Sequence, residues 1–189
     1  MGLGGGLLLS AAAEEVAAEE YIPEAMRPAL SDKDPAFVLW ASDEFSAQVH
    51  AAFQPSPRSP HPAIVLGDFD GDGHQDAVLI GYNETMRRSL VINYSLGREP
   101  YSGKPGNGYL ARNWISVSGG PGAEPRHAYL SATTRSQALQ DFGEHRCRVD
   151  DNRLDGIEDM FVYHSQEGQK VFALWETRVI PFCTLEHTP

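Results

Sequence analysis

From Gly67 to Asp76 the chain reads Gly-Asp-Phe-Asp-Gly-Asp-Gly-His-Gln-Asp. Asp68, Asp70, Asp72 and Asp76 stand at positions 1, 3, 5 and 9 of a D-x-D-x-D-G-x-x-D pattern, and Gly73 holds position 6. Carboxylates packed this closely repel one another when ionised, and a bound cation relieves that repulsion. A donor set made only of oxygen selects a hard ion, Ca²⁺ or Mg²⁺, over a soft one. Calcium accepts six to eight oxygens in irregular geometry and suits a flexible loop better than magnesium does. Gly71 and Gly73 allow the left-handed turns that wrapping an ion requires. Position 7 of such a loop supplies a main-chain carbonyl, here that of His74, with its imidazole pointing away. The expected metal ligands are therefore Asp68, Asp70, Asp72, His74 and Asp76, and the expected cofactor is Ca²⁺.

The elements that must position this loop follow from its flanks. Ile64-Val65-Leu66 enters it and Ala77-Val78-Leu79-Ile80 leaves it, both short, apolar and rich in β-branched residues. An EF-hand would need flanking helices and a bidentate Glu at position 12, which is Leu79 here. The loop is thus expected to join two strands. In this respect residues 63–81 resemble the FG-GAP and VCBS-type repeats, whose calcium loops lie between strands of integrin-like propellers. A looser similarity is to small exported bacterial proteins that carry one such loop. The resemblance implies a calcium site and a blade-like strand–loop–strand unit, and it implies no enzymatic activity. A whole propeller needs at least about four blades of about 40 residues; residues 63–189 are too few, so a complete propeller is not expected.

A partial echo of the motif occurs further on. Asp155-Gly156 and Asp159 match positions 5, 6 and 9, with Asp151 at position 1. Position 3 is Arg153, whose charge a metal ion would repel. The favoured reading is an acidic turn before a strand, with Asp151, Asp155 and Asp159 as a secondary candidate site.

The remaining chain reads as mainly β (α+β). Residues 1–13 resemble the apolar core and cleavage zone of a signal peptide but lack its basic start. They are read either as an export signal beginning upstream of Met1 or as a tail without a targeting role. Residues 14–54 form a helical N-terminal segment: a helix over Glu14–Tyr21, broken at Pro23 and closed before Pro28, then a helix from Ser42 through Gln54 with Phe45, Val49 and Phe53 on one face. Ala36–Trp40 between them is a strand or a buried helical turn. Residues 55–62 hold four prolines and are read as an extended connector and hinge.

Residues 63–189 are expected to form a β-rich calcium-binding domain of six or more antiparallel strands. Beyond the first two, these are Leu90–Tyr94, Trp114–Val117, Ala128–Leu130, a hairpin of Met160–Tyr163 and Val171–Trp175 around Gln166-Glu167-Gly168, and an edge strand at Val179-Ile180. Asn83–Arg88 is a turn, residues 97–112 a loop, and Thr134–Phe142 a short helix.

Composition bounds the function. Fifteen Lys and Arg face 26 Asp and Glu, giving a net charge of −11. That argues against a nucleic-acid partner, which needs a basic surface. No apolar run reaches the length of a membrane-spanning helix. Cys147 and Cys183 have three readings: a disulfide, two separate thiols, or zinc ligands together with His145 and His187. The calcium loop and the signal-like start together predict an extracytoplasmic location, periplasmic or secreted. The function expected is a non-catalytic structural or interaction module. One alternative is a metal-dependent hydrolase using the acidic loop with His74, His61 or His127. It lacks a nucleophile elbow, an H-E-x-x-H motif and a phosphate-cradling loop. Another is a carbohydrate- or protein-binding surface built from Tyr82, Tyr94, Tyr101, Tyr109 and Trp114. Asn83-Glu84-Thr85 and Asn93-Tyr94-Ser95 are glycosylation sequons, relevant in a host that modifies secreted chains.

Overall fold

The computed structural model describes residues 18–83, 92–98, 108–115, 127–175 and 178–186. The signal-like segment, Tyr101 and His187 lie outside them.

The apolar runs around the acidic loop form its two strands, β2 (Ile64–Gly67) and β3 (Asp76–Asn83), paired antiparallel from Ile64↔Leu79 to Gly67↔Asp76. Ala77, Val78, Leu79 and Ile80 are all fully buried. Successive strand residues point to opposite faces, so this sheet is covered on both. The opposite edge of β3 takes β4 (Ile92–Arg98), which pairs with β5 (Tyr109–Ile115). The short β1 (Phe37–Leu39) pairs with residues 81–83 of β3, end to end with β2, and completes a five-stranded sheet. Ala36–Trp40 is thus resolved as strand.

The second sheet is a four-stranded antiparallel meander of β6 (Tyr129–Thr134), β7 (Asp159–Ser165), β8 (Gly168–Trp175) and β9 (Arg178–Glu186). The β7–β8 hairpin turns at Gln166-Glu167, where the sequence places it. Pro181 sits on the outer strand β9 beside a register shift between Val171 and Phe172, a position where its missing N–H costs no interior ladder bond. The molecule is mainly β with a few short helices, and the described residues do not form a complete propeller.

Several expected boundaries move. Pro28 does not close a helix: it lies in the first turn of α1 (Arg27–Lys33), where an N–H would have no helical partner anyway. The helix expected from Ser42 is a 3₁₀ turn at Ser42–Glu44 followed by α2 (Ala47–Ala52). Ser46 wins the capping role, its Oγ accepting from Val49 N at 3.3 Å. Phe45 and Val49 are buried as expected. Residues 109–112, expected as loop, belong to β5. α3 (Arg135–Phe142) matches expectation, capped by Thr134 Oγ1 on Gln137 N.

One apolar cluster joins the N-terminal helices, the first sheet and the inner face of the second: Met26, Leu39, Val49, Leu79, Leu130 and Phe161 belong to it. A second cluster fills the other face of the second sheet beneath α3, with Ala138, Leu154, Met160, Val162 and Val171. Cys147 and Cys183 form a disulfide, which ties the chain ahead of the second acidic turn to β9 and leaves no thiol for zinc.

Residues 55–62 do not behave as a hinge. Arg58 O accepts from Leu66 N of the first sheet at 2.7 Å, and Pro62 O accepts from Leu130 N of the second at 2.8 Å. Ser59 Oγ accepts from Ala132 N at 2.8 Å. The segment is a seam bonded to both sheets.

Candidate metal centre

The eight residues between β2 and β3 turn on two left-handed glycines, Gly71 at φ +76° and Gly73 at φ +82°. A β-carbon is disfavoured in that conformation, which explains glycine at both places. Phe69 turns inward and is fully buried, edge-on to Phe161 with ring centroids 5.3 Å apart. Its carbonyl accepts from Leu174 N at 2.8 Å. The loop is therefore anchored on the second sheet at the residue between its first two carboxylates.

That anchorage orients the acids. Asp68, Asp70 and Asp76 each bring a carboxylate oxygen to within 4.8 Å of the others. Each also accepts from a loop amide: Asp76 Oδ2 from Phe69 N at 2.8 Å, Asp68 Oδ2 from Gly73 N at 3.0 Å, and Asp70 Oδ1 from Asp72 N at 3.1 Å. These bonds hold the carboxylates in place and leave oxygens over. Asp76 is fully buried, and its Oδ1 has no hydrogen-bond partner among the described residues. Asp68 Oδ1 is likewise buried and unpartnered there. A buried carboxylate oxygen without a donor is costly, which is the situation a cation corrects.

Electrostatics agree with the geometry. The Asp76 carboxyl is pushed up to about 8, first by burial and then by the charge of Asp70, with Asp72 and Asp68 adding to it. The Phe69 amide opposes that shift. Asp70 is also raised, mainly by burial, against the hydrogen bond it receives from Asp72. The cluster cannot carry its full negative charge without compensation. Asp68, Asp70 and Asp76 could hold a metal ion, and their all-oxygen chemistry fits a hard one.

The Asp72 carboxylate is not in that group, and the His74 imidazole points away from it, as expected of a residue whose ligand would be its carbonyl. Asp72 Oδ1 accepts from His74 N at 2.8 Å, with the His74 ring 3.4 Å away. The exposed His74 imidazole lies against Arg98 and the Asp72 carbonyl, outside the carboxylate group.

Asp151, Asp155 and Asp159 do not converge into a comparable ligand group among the described residues. Arg153 reaches back to Asp151 with Nε at 2.8 Å and Nη2 at 2.5 Å, and its hydrogen bonds hold the Asp151 carboxyl down near 2. Asp159 is paired with Arg58 at 3.0 Å. Its Oδ2 also accepts from Asp68 N at 3.1 Å, so Asp159 steadies the first residue of the metal loop. The two turns touch: a β-carbon on Gly71 would lie 3.5 Å from Ile157 and 3.6 Å from the Gly156 carbonyl. Sequence reasoning missed Arg58 and the supporting role of Asp159, because their partners lie far along the chain.

The other histidines invoked for hydrolysis sit in different surroundings. His61 is buried; Ala63 N donates to its Nδ1 at 3.2 Å, so its Nε2 carries the proton toward Ser42 Oγ at 3.0 Å. His127 Nδ1 is buried with no partner among the described residues. Of the aromatic residues considered for a binding surface, Tyr82 packs on Trp40 and Tyr109 against the core. Asn83 is buried and donates to Asp34 at 2.6 Å, so its amide nitrogen is engaged. Set against protein-family models, curated proteins and solved structures, the chain finds no match in any of the three comparisons.

Proposed function

We propose that this protein is a calcium-binding structural or interaction module that works outside the cytoplasm and performs no catalysis, with a loop of the FG-GAP/VCBS type. The observation that carries this reading is the fully buried Asp76, whose Oδ1 has no partner among the described residues and whose carboxylate converges with those of Asp68 and Asp70. Asp68, Asp70 and Asp76 would supply side-chain oxygens, and Asp72 and the His74 carbonyl are the further ligands the motif offers. The ion would supply charge neutralisation and fix a loop that already packs through Phe69 on the second sheet and through Gly71 beside the turn at Gly156-Ile157.

The Cys147–Cys183 disulfide fits an oxidising, extracytoplasmic compartment, where free calcium is near millimolar and such a site would fill. No helix among the described residues is long and apolar enough to cross a membrane. With about 1 mM free calcium and a Kd of about 0.1 mM, linkage adds about 1.4 kcal/mol of stability. For a domain of this size that raises Tm by about 3–5 °C.

Titration calorimetry of the full chain with CaCl₂ and with MgCl₂, alongside melting in calcium and in chelator, tests the proposal. One site preferring calcium, with the expected rise in Tm, supports it. Identical melting in calcium and chelator, with no binding heat, overturns it.

A further inference from the structure

Away from the acidic loop, a cavity of about 380 Å³ opens between α3 and the outer face of the second sheet. That size is at the lower end of small-ligand sites, which run from about 300 to about 1,000 Å³. Its polar groups come from both walls: Gln137 and Asp141 from α3, and Ser131, His164 and Gln169 from the sheet. Phe142, Val162 and Leu185 supply apolar surface between them. We propose that this cavity binds a neutral, hydroxyl-rich ligand of monosaccharide size.

The polar groups are held in place before any ligand arrives. Ser131 Oγ lies 2.8 Å from His164 Nε2. The His164 ring stacks on Tyr129, centroids 4.1 Å apart and planes within 4°. Gln137 Nε2 donates to Asp141 Oδ1 at 2.7 Å, one helical turn along α3. Groups fixed by such contacts lose little freedom when a ligand binds.

The lining also selects the ligand's charge. Among the described residues no Lys or Arg lines the cavity, so a phosphate or carboxylate would meet no counter-charge there. Burial holds His164 down at about 4, so at neutral pH its ring is an uncharged donor and acceptor, with Nε2 shared with Ser131. A single carboxylate, two amides, two hydroxyls and a neutral imidazole match the alternating donors and acceptors of a sugar, whose C–H faces suit the apolar surface. A charged amine would find one counter-charge, Asp141, whose Oδ1 already accepts from Gln137.

The Ser131–His164 contact has the spacing of a nucleophile and its base, yet the geometry favours binding. The amide following the serine, Ala132 N, donates to Ser59 Oγ and is not available to a developing oxyanion.

The test is an NMR titration of the ¹⁵N-labelled full chain with glucose, galactose, mannose and N-acetylglucosamine, with putrescine and inorganic phosphate as separate arms. All arms are run both in calcium and in chelator, so that failure of the metal proposal is read separately. At least one sugar should shift the amide signals of Ser131, Asp141, His164 and Gln169 saturably, with a millimolar Kd. Asp141 is exposed and Gln169 half-exposed, so Asp141→Ala and Gln169→Ala should keep the parent melting curve. Each should weaken that sugar about tenfold, as loss of a ligand hydrogen bond does. Overturning results are no saturable shift with any sugar, shifts undiminished in both variants, or shifts with putrescine or phosphate alone.

Discussion

Asp72-Gly73-His74-Gln75-Asp76 and Asp155-Gly156-Ile157-Glu158-Asp159 are two turns of one pattern. Asp76 opens β3 and Asp159 opens β7, each the second strand of its meander. The glycines stand at φ +82° and +81°. In both turns the final Asp accepts from an amide of the 68–69 segment, Asp76 from Phe69 N and Asp159 from Asp68 N. They part in how charge is balanced. The second turn carries its own cations, Arg153 on Asp151 and Arg58 on Asp159, and Asp151 titrates low. Arg135 adds hydrogen bonds to the carbonyls of Leu154 and Val149. The carboxylate group of the first turn has no such partner among the described residues, and Asp76 titrates high. One backbone design thus accommodates clustered acids either with arginines fixed in the chain or, as we propose, with an exchangeable ion.

The strongest way to stress the contrast is covalent. The disulfide closes a loop of 36 residues that contains the whole second turn. Cys147→Ser with Cys183→Ser should cost about 3–4 kcal/mol in chemical denaturation. Calcium affinity at the first turn should stay unchanged by calorimetry. A large loss of calcium binding would mean that the turns are not independently balanced.

Matched substitutions of the two closing acids give the next largest effects. Asp76→Asn should abolish the calcium-dependent gain of about 1.4 kcal/mol. In chelator the raised Asp76 carboxyl means that the folded state holds a proton the unfolded state has released. This contribution is therefore greatest below the unfolded value near 4 and is lost as pH rises through about 8. The Asn variant, which has no proton to lose there, should match the parent in chelator near pH 4, pull ahead as pH rises from about 4 to about 8, and keep a constant lead above that. Asp159→Asn breaks a half-exposed ion pair and should cost about 1 kcal/mol equally in calcium and chelator. Thermal melts across pH in both conditions check both variants; a calcium-sensitive Asp159→Asn would erase the contrast.

The smallest effect is expected at Arg153→Ala. Arg153 is exposed and Asp151 partly covered, and the pair joins residues of one surface turn, so stability should move little. The Asp151 carboxyl should rise from about 2 toward its ordinary value, read by NMR titration of its side-chain carbon. An unchanged Asp151 would remove the arginine from its assigned role.

These contrasts also mark what the sequence disclosed. Ile64–Leu66, Ala77–Ile80 and the hairpin around Gln166-Glu167 could be read because continuous apolar runs are what sheets buried on both faces require. The end of β5, Trp114-Ile115, was read as strand, but its first part was hidden because Ala111-Arg112-Asn113 is polar on average and follows a glycine-rich stretch, while its pairing with β4 is a matter of register. Ser42 and Ser46 are equally good caps on paper, and tertiary packing chose the second. Asp68, Asp70 and Asp76 were legible because the pattern is local. The pairing of Arg58 with Asp159 was not, since it spans most of the chain and depends on how the two sheets meet.

The seam of residues 55–62, bonded to both sheets, holds one last consequence. A strand entering a gap between two ladders belongs to neither, and each amide hydrogen it carries there needs an acceptor. Pro60 and Pro62 carry none, while the Pro62 carbonyl still receives Leu130 N. The imino acids that look like a recipe for swing are instead a way to run main chain through a dry space with fewer donors to satisfy.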